Sequence, residues 1–285
     1  MTCFTALKRT ASSHPTVMFL AVVVTYSALV ATAIYTVLSG VSANLKVAVY
    51  AWGPMISAGV SVWLSDESVR DWLGQLRNLR IGVHWYLAGV GIMILGGETE
   101  NILALVTGGD ITAPAAPLRS YVFFVTFTLF FAGALEELMW RGFLQPHLQQ
   151  RFGALSTSVG IGVLWGLWHV PIILAGIGNF TVFWEYMISI IMVSIVLGWL
   201  YNNAKAALPV IMITHASHNM PPIGSATGDV PAVFNILSGD AIFYLLCALL
   251  ITLYAGSTTL TRDRTLPTIP GRFNERWPLS EKSAE

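Results

Sequence analysis

Long apolar segments are the feature that most limits how this chain can fold. The first of them, residues 17–38, contains no charged side chain. About 20 consecutive apolar residues suffice for a transmembrane helix. Hydropathy predicts eight such helices, at 17–38, 45–64, 85–106, 121–143, 158–177, 182–201, 208–223 and 241–260. We therefore expect an all-α fold, a polytopic transmembrane helical bundle.

Composition supports a membrane protein. Only 11% of the residues are charged and 55% are hydrophobic, whereas soluble domains have about 25% charged residues. The formal net charge is zero, so the chain lacks the basic surface expected of a nucleic-acid-binding protein. Cys3 and Cys247 lie far apart in the sequence, which indicates neither a disulfide framework nor a thiolate metal site.

The lysines and arginines predict the orientation of the bundle. Cytoplasmic loops carry an excess of basic residues. Twelve basic residues fall on the side of the N-terminus and two, Lys46 and Arg119, on the opposite side. Both termini are therefore predicted to be cytoplasmic, with the chain in the cell membrane. The predicted parts are an N-terminal tail (1–16), a transmembrane domain (17–260) and a C-terminal tail (261–285). Residues 65–83 fit either an amphipathic interfacial helix or a plain loop.

Ionisable and amide side chains mark candidate sites in three of the predicted spans, whereas Glu98 and Glu100, which interrupt the third span, have no predicted role. Such residues are rare within membranes, and each one is a functional-site hypothesis. Structural roles are the alternative: an ion cluster between helices, a histidine bonded to a carbonyl, or interhelical hydrogen bonds. The residues are Glu136, Glu137 and Arg141 in the fourth span, His169 in the fifth, and His215, His218 and Asn219 in the seventh.

Helical spacing separates the roles of the two glutamates. Glu137 and Arg141 are four residues apart and can pair on one face. Glu136 points about 100° away from Glu137 and has no local cation, which suits a general base. Trp165 and His169 share a face by the same four-residue spacing.

The depths of the polar residues suggest one common site. Glu136 and His215 lie about 10 Å from the inner ends of their predicted helices, and His169 about 16 Å. These side chains could meet at one level in the cytoplasmic half of the bilayer. Polar groups from three helices at one depth indicate a water-holding cavity.

Three short motifs resemble the pattern of a known family. They are "EELMWR", "WGLWH" and "HASHN". The pattern E-E-x-x-x-R, F-x-x-x-H, H-x-x-x-N on separate membrane helices is that of the CPBP family (CAAX protease and bacteriocin-processing, or Abi), intramembrane glutamate endopeptidases. The first and third motifs match fully, whereas Trp165 stands where phenylalanine is usual.

The resemblance implies a role for each residue of the motifs. Glu136 would activate a water with help from His169, and His215 and Asn219 would stabilise the oxyanion of the tetrahedral intermediate. The structural support would come from Glu137 and Arg141, with Trp165 beside His169. We expect a mechanism without a cofactor. The alternative is a zinc ion with an open position, held by Glu136, His169 and His215.

The expected function is that of an intramembrane endopeptidase, a hydrolase acting on a membrane-associated or lipidated, CAAX-like peptide. Its partners would then be the lipid bilayer and a peptide or lipidated protein. Buried carboxylates and histidines also occur in proton-coupled transporters, although the internal repeats of such proteins are not visible here. A non-catalytic bacteriocin-immunity protein is a third interpretation. The sequence does not specify the substrate or the oligomeric state.

Overall fold

The computed structural model describes residues 3–112, 114–177, 182–227 and 237–268, and most of them are helical. Helices are numbered here in chain order. They are α1 (Cys3–Ser13), α2 (Pro15–Thr36), α3 (Ala43–Leu64), α4 (Val69–Gly74), α5 (Val83–Gly97), α6 (Thr99–Val106), α7 (Leu118–Phe131), α8 (Glu137–Met139), α9 (Gln145–Gln149), α10 (Ala154–Trp168), α11 (Val170–Leu174), α12 (Phe183–Asn203), α13 (Leu208–His218) and α14 (Gly239–Ala255).

Each of the eight predicted membrane segments contains helix. In the part of the chain that the structure describes, five helical stretches are long and apolar enough to cross a membrane. A sixth arises if the bent pair α5–α6 is one span. The seventh and eighth segments correspond to α13, which ends at His218, and α14, which ends at Ala255. The five long stretches are Pro15–Thr36, Ala43–Leu64, Leu118–Gln149, Ala154–Leu174 and Phe183–Asn203.

The third predicted span is bent. Helices α5 and α6 meet at Glu98 with an angle of 57° between them. After α6 a short strand, β1 (Asp110–Thr112), pairs antiparallel with β2 (Ser225–Thr227). This pairing ties the connection after α6 to the connection after α13, so the small sheet lies at the same end of the bundle as the end of α13.

The fourth predicted span is not one continuous helix, which corrects the sequence prediction. Helix α7 ends at Phe131, and Ala132 has non-helical dihedrals (φ −137°, ψ −130°). A 3₁₀ turn (Gly133–Glu136), α8, a π-helical segment (Trp140–Leu144) and α9 follow. Hydropathy cannot detect such a break because the residues remain apolar. Single π turns in helices are frequent at functional sites.

The helices around the fourth span pack closely. Helix α10 runs against α12, where a methyl group on Gly162 would lie 2.7 Å from the Cα of Ile191. Small residues of this kind let membrane helices approach each other. The backbone after α14 packs here too, because Thr258 accepts a hydrogen bond from the amide of Ala154 (2.7 Å). Of the predicted C-terminal tail, only 261–268 lies within the described residues.

Residues 65–83 include a short helix that is docked against the fourth span. Helix α4 continues into a 3₁₀ turn (Gln75–Arg77). Trp72 is buried, and its indole donates to the carbonyl of Leu138 (3.0 Å). The side-chain amide of Gln75 donates to the backbone carbonyl of Gly142 (2.9 Å). This segment therefore supports the irregular part of the fourth span, which carries the two glutamates.

Candidate active site

Glu136 lies at the end of the 3₁₀ turn and is buried. Its Oε2 atom accepts hydrogen bonds from the indole of Trp165 (2.7 Å) and from the indole of Trp140 (3.3 Å). No salt bridge joins Glu136 to a cation among the described residues. A buried carboxylate held only by neutral donors can still accept a proton, so Glu136 has the surroundings of a general base.

Glu137 and Arg141 form the ion pair that their spacing predicts. Both are fully buried, and Nη1 of Arg141 lies 3.0 Å from Oε2 of Glu137. The second guanidinium nitrogen donates to the hydroxyl of Ser194 on α12 (3.0 Å), which in turn donates to the carbonyl of Ser158 on α10 (2.7 Å). Because removing one member of a buried pair leaves an unpaired charge, this network fixes the fourth span against α10 and α12.

His215 connects the third motif to the first. Its Nδ1 lies 2.6 Å from Oε1 of Glu137. An ionised carboxylate only accepts hydrogen bonds, so Nδ1 carries the hydrogen. Glu137 therefore does more than pair with Arg141, because it also fixes the orientation of the His215 ring. The sequence interpretation assigned Glu137 to the ion pair alone and missed this second contact.

The other ring nitrogen of His215 faces Gly133. A methyl group placed on Gly133 would lie 2.6 Å from Nε2 of His215 and 3.0 Å from Nδ2 of Asn219. Asn219, which follows the last residue of α13, is exposed, whereas His215 is buried. The absence of a side chain at Gly133 therefore leaves one small space that both nitrogens border. An oxyanion bound in this space would require both nitrogens to donate hydrogen bonds.

His169 reaches the site through Trp165. Its Nδ1 lies 2.9 Å from the carbonyl oxygen of Trp165. A carbonyl only accepts, so Nδ1 carries the hydrogen, and in the neutral ring Nε2 is the acceptor nitrogen. The Trp165 ring also lies 5.2 Å from the ring of His215, centroid to centroid. Trp165 is therefore the side chain that joins all three motifs.

The structure brings the predicted residues of the three motifs together, with one exception. His218 lies on a different side of α13, where its Nδ1 contacts the hydroxyl of Tyr244 (3.2 Å). It lines a separate small cavity of about 190 Å³ with Glu100 and Asp240. Sequence reasoning missed three contributors to the site. They are Gly133, Trp140 and Ser194, whose roles depend on a close approach or on an indole or hydroxyl donor that no motif specifies.

Glu98 and Glu100, for which the sequence suggested no role, are structural anchors. Glu98 accepts hydrogen bonds from the amides of Ile223 and Gly224. Glu100 accepts one from the amide of Gly239, the first residue of α14 (3.3 Å). Glu98 therefore holds the chain that follows Asn219, and Glu100 holds the start of α14.

The zinc alternative concerns Glu136, His169 and His215. Across the described ranges, no group of three or more His, Cys, Asp and Glu side chains is placed to hold a metal ion. Glu136 is bonded to two indoles through Oε2, and His215 is bonded to Glu137 through Nδ1. The mechanism without a cofactor and the zinc alternative both stay predictions.

Comparisons with known proteins point to the same segment. Residues 118–221, which contain all three motifs, match the family described as "Type II CAAX prenyl endopeptidase Rce1-like". A curated relative, "CAAX prenyl protease 2" of Methanococcus maripaludis, is 29% identical over 104 residues. This match covers 34% of the present chain and 38% of the relative's length.

The matched segment coincides with the site. It runs from the first residue of α7 to just beyond Asn219, so it includes the glutamates, the histidines and the indole donors. The resemblance seen in the motifs and the match over this segment agree. Over residues 118–221, the chain is therefore similar to the Rce1-like CAAX prenyl endopeptidases.

Proposed function

We propose that this protein is an intramembrane endopeptidase that hydrolyses a peptide bond near the C-terminus of a prenylated, CAAX-type peptide or protein. One observation carries the proposal. Glu136, a buried carboxylate bonded to neutral donors, lies next to the Glu137–His215 pair and to Trp165, which positions His169. The name of the relative, a CAAX prenyl protease, supports this substrate class.

The chemistry starts with a water molecule. Glu136 takes a proton from this water as its oxygen attacks the carbonyl carbon of the substrate, with the neutral Nε2 of His169 as a second acceptor. When the carbon–nitrogen bond breaks, the protonated Glu136 gives the proton to the leaving amine. One water is consumed, and a carboxylic acid and an amine are released. General acid–base catalysis of this kind contributes about 10²- to 10⁴-fold.

The oxyanion would form in the space next to Gly133. Asn219 can donate there through Nδ2, and His215 can donate through Nε2 when its ring is protonated on both nitrogens. Because Nδ1 of His215 already donates to Glu137, the proton on Nε2 gives the ring the positive charge that an oxyanion favours. A single donor of an oxyanion hole contributes about 10²- to 10³-fold to the rate.

An aromatic groove supports a prenylated substrate. Phe123, Phe127 and Phe131 stack along one face of α7 and line an open apolar groove of about 630 Å³. The groove ends at Phe131, two residues before Gly133. From Phe131 to Leu118 the helix rises about 20 Å. We propose that the isoprenoid lies along this groove while its peptide enters the site from the cytoplasmic half of the membrane.

Purified protein in detergent and a farnesylated CAAX peptide test the proposal. We expect one cleavage, mapped by mass spectrometry, that the unmodified peptide undergoes much more slowly. His169→Ala and Asn219→Ala should each lose about 100-fold in kcat. His84→Ala is a matched control, because His84 is exposed and lies outside the site. Parent-like cleavage by both site variants would contradict the assignment.

A further inference from the structure

The two hydrogen bonds that hold Glu136 end on the same oxygen. Within the described part of the chain, both donors to this carboxylate, the indoles of Trp165 and Trp140, bond to Oε2. Oε1 receives neither. A carboxylate fixed through one oxygen keeps the other oxygen available in a defined direction. The two oxygens of Glu136 therefore have different surroundings.

Trp165 contacts four of the charged or titratable residues of the site. Its indole N–H bonds to Glu136, and its ring lies 5.1 Å from the guanidinium carbon of Arg141. The ring also lies 5.2 Å from the ring of His215, and its backbone carbonyl accepts from His169. The side chain is 1% exposed, so its orientation is fixed by packing.

We propose that Trp165, assisted by Trp140, is a positioning residue that binds Oε2 of Glu136 and so reserves Oε1 for the proton of the attacking water. The inference rests on the proposed function and adds to it. Where the family pattern has phenylalanine, this chain has an indole donor. Phenylalanine could keep the ring contacts to Arg141 and His215, but it has no N–H group to donate to Glu136.

The proposal predicts a specific change in the pH dependence. The ionised carboxylate is the form that accepts a proton, and a hydrogen bond to it favours that form. Trp165→Phe removes the shorter of the two bonds. With the farnesylated peptide, we expect the acid limb of the kcat/KM profile to move to higher pH by about one unit. At its optimum the variant should lose about tenfold in kcat with little change in KM.

Two further variants keep the test decisive. Trp140→Phe removes the longer bond, so it should shift the acid limb in the same direction by a smaller amount, and it replaces Trp165→Phe if that variant does not fold. Trp72→Phe is the matched control. This substitution removes an indole hydrogen bond of similar length, but the acceptor of that bond is the carbonyl of Leu138. The acid limb of the kcat/KM profile of Trp72→Phe should therefore coincide with that of the parent.

The outcomes separate this proposal from the proposed function. If Glu136→Gln is inactive and the folded Trp165→Phe and Trp140→Phe variants keep the acid limb of the parent, the positioning role is wrong and the endopeptidase assignment stands. An acid limb that shifts equally in Trp72→Phe would also overturn the role, because the effect would then be structural. If Glu136→Gln cleaves like the parent, the proposed function itself fails.

Discussion

At the scale of single residues, the site depends on the absence of a side chain at Gly133 as well as on the side chains that surround it. Gly133 precedes the two glutamates and faces Nε2 of His215 and Nδ2 of Asn219. His215 has little freedom to move away because its other nitrogen is bonded to Glu137. Any side chain at position 133 would therefore occupy the proposed oxyanion space.

We predict that Gly133→Ala reduces kcat by about 100-fold, the range expected for loss of oxyanion donors. The added methyl group would lie 2.6 Å from His215, closer than atoms pack. The measurement is the cleavage rate of the farnesylated peptide. Gly160→Ala is the matched control, because a methyl group at Gly160 on α10 would meet nothing within 4 Å. A parent-like rate for Gly133→Ala would place the oxyanion elsewhere.

Part of the site could be predicted from the sequence at this scale. The pairing of Glu137 with Arg141 follows from their spacing, and the separate surroundings of Glu136 follow from its position beside them. The role of Gly133 and the indole donors of Trp140 and Trp165 could not be predicted, because they depend on distances between helices. The same holds for the bond between His215 and Glu137, which are 78 residues apart.

At the scale of secondary-structure elements, the break after α7 determines what the fourth span can do. The helix before the break carries the aromatic groove, and the irregular segment after it carries the glutamates. A groove that ends two residues before Gly133 would place a bound isoprenoid next to the scissile peptide. Hydropathy predicted this span but not its division, since the residues at the break itself, Phe131 to Leu135, are apolar.

We predict that Phe127→Ala lowers kcat/KM for the farnesylated peptide by about tenfold, mainly through KM, because truncating a phenylalanine removes apolar contact area. The rate for the unmodified peptide should not change. Phe130→Ala is the matched control, because Phe130 is equally apolar and 61% exposed but does not line the groove. Equal effects of the two variants would show that the groove does not bind the isoprenoid.

A second prediction concerns the segment that follows α13. Glu98 holds the amides of Ile223 and Gly224, and hydrogen bonds to a charged group contribute about 1.5–3 kcal/mol each. Glu98→Ala should therefore increase amide hydrogen exchange in residues 219–227 by about tenfold or more, and it should lower kcat because Asn219 lies at the start of this segment. Glu100→Ala should leave exchange in these residues unchanged. Parent-like exchange in Glu98→Ala would contradict the anchoring role.

At the scale of the whole molecule, the distribution of basic residues predicts the orientation of the site in the membrane. The connection that contains Arg151 is predicted to be cytoplasmic, and the connection before α7 is predicted to lie outside. In this orientation the aromatic groove runs from the site toward the outer face. A prenylated protein on the cytoplasmic side could then insert its isoprenoid along α7 while its peptide stays near the inner surface.

Cysteine labelling in intact cells tests this orientation. In a Cys3→Ser, Cys247→Ser background, we expect a membrane-impermeant maleimide to label Ala115→Cys at once and Arg151→Cys only after the cells are opened, because both positions are exposed but are predicted to lie on opposite faces of the membrane. The reverse pattern would place the site in the outer half of the membrane.

The helical bundle itself could be predicted from hydropathy, whereas the short sheet could not, because each strand has only three residues.

In the proposed mechanism, Glu136 activates the water that cleaves the substrate. The most direct test compares parent and Glu136→Gln in cleavage of the farnesylated peptide, because glutamine has nearly the same shape but cannot take up a proton. We predict a loss of at least about 100-fold in a variant that keeps the melting temperature of the parent, while Glu100→Gln keeps the parent rate. Cleavage by Glu136→Gln at the parent rate would contradict the account.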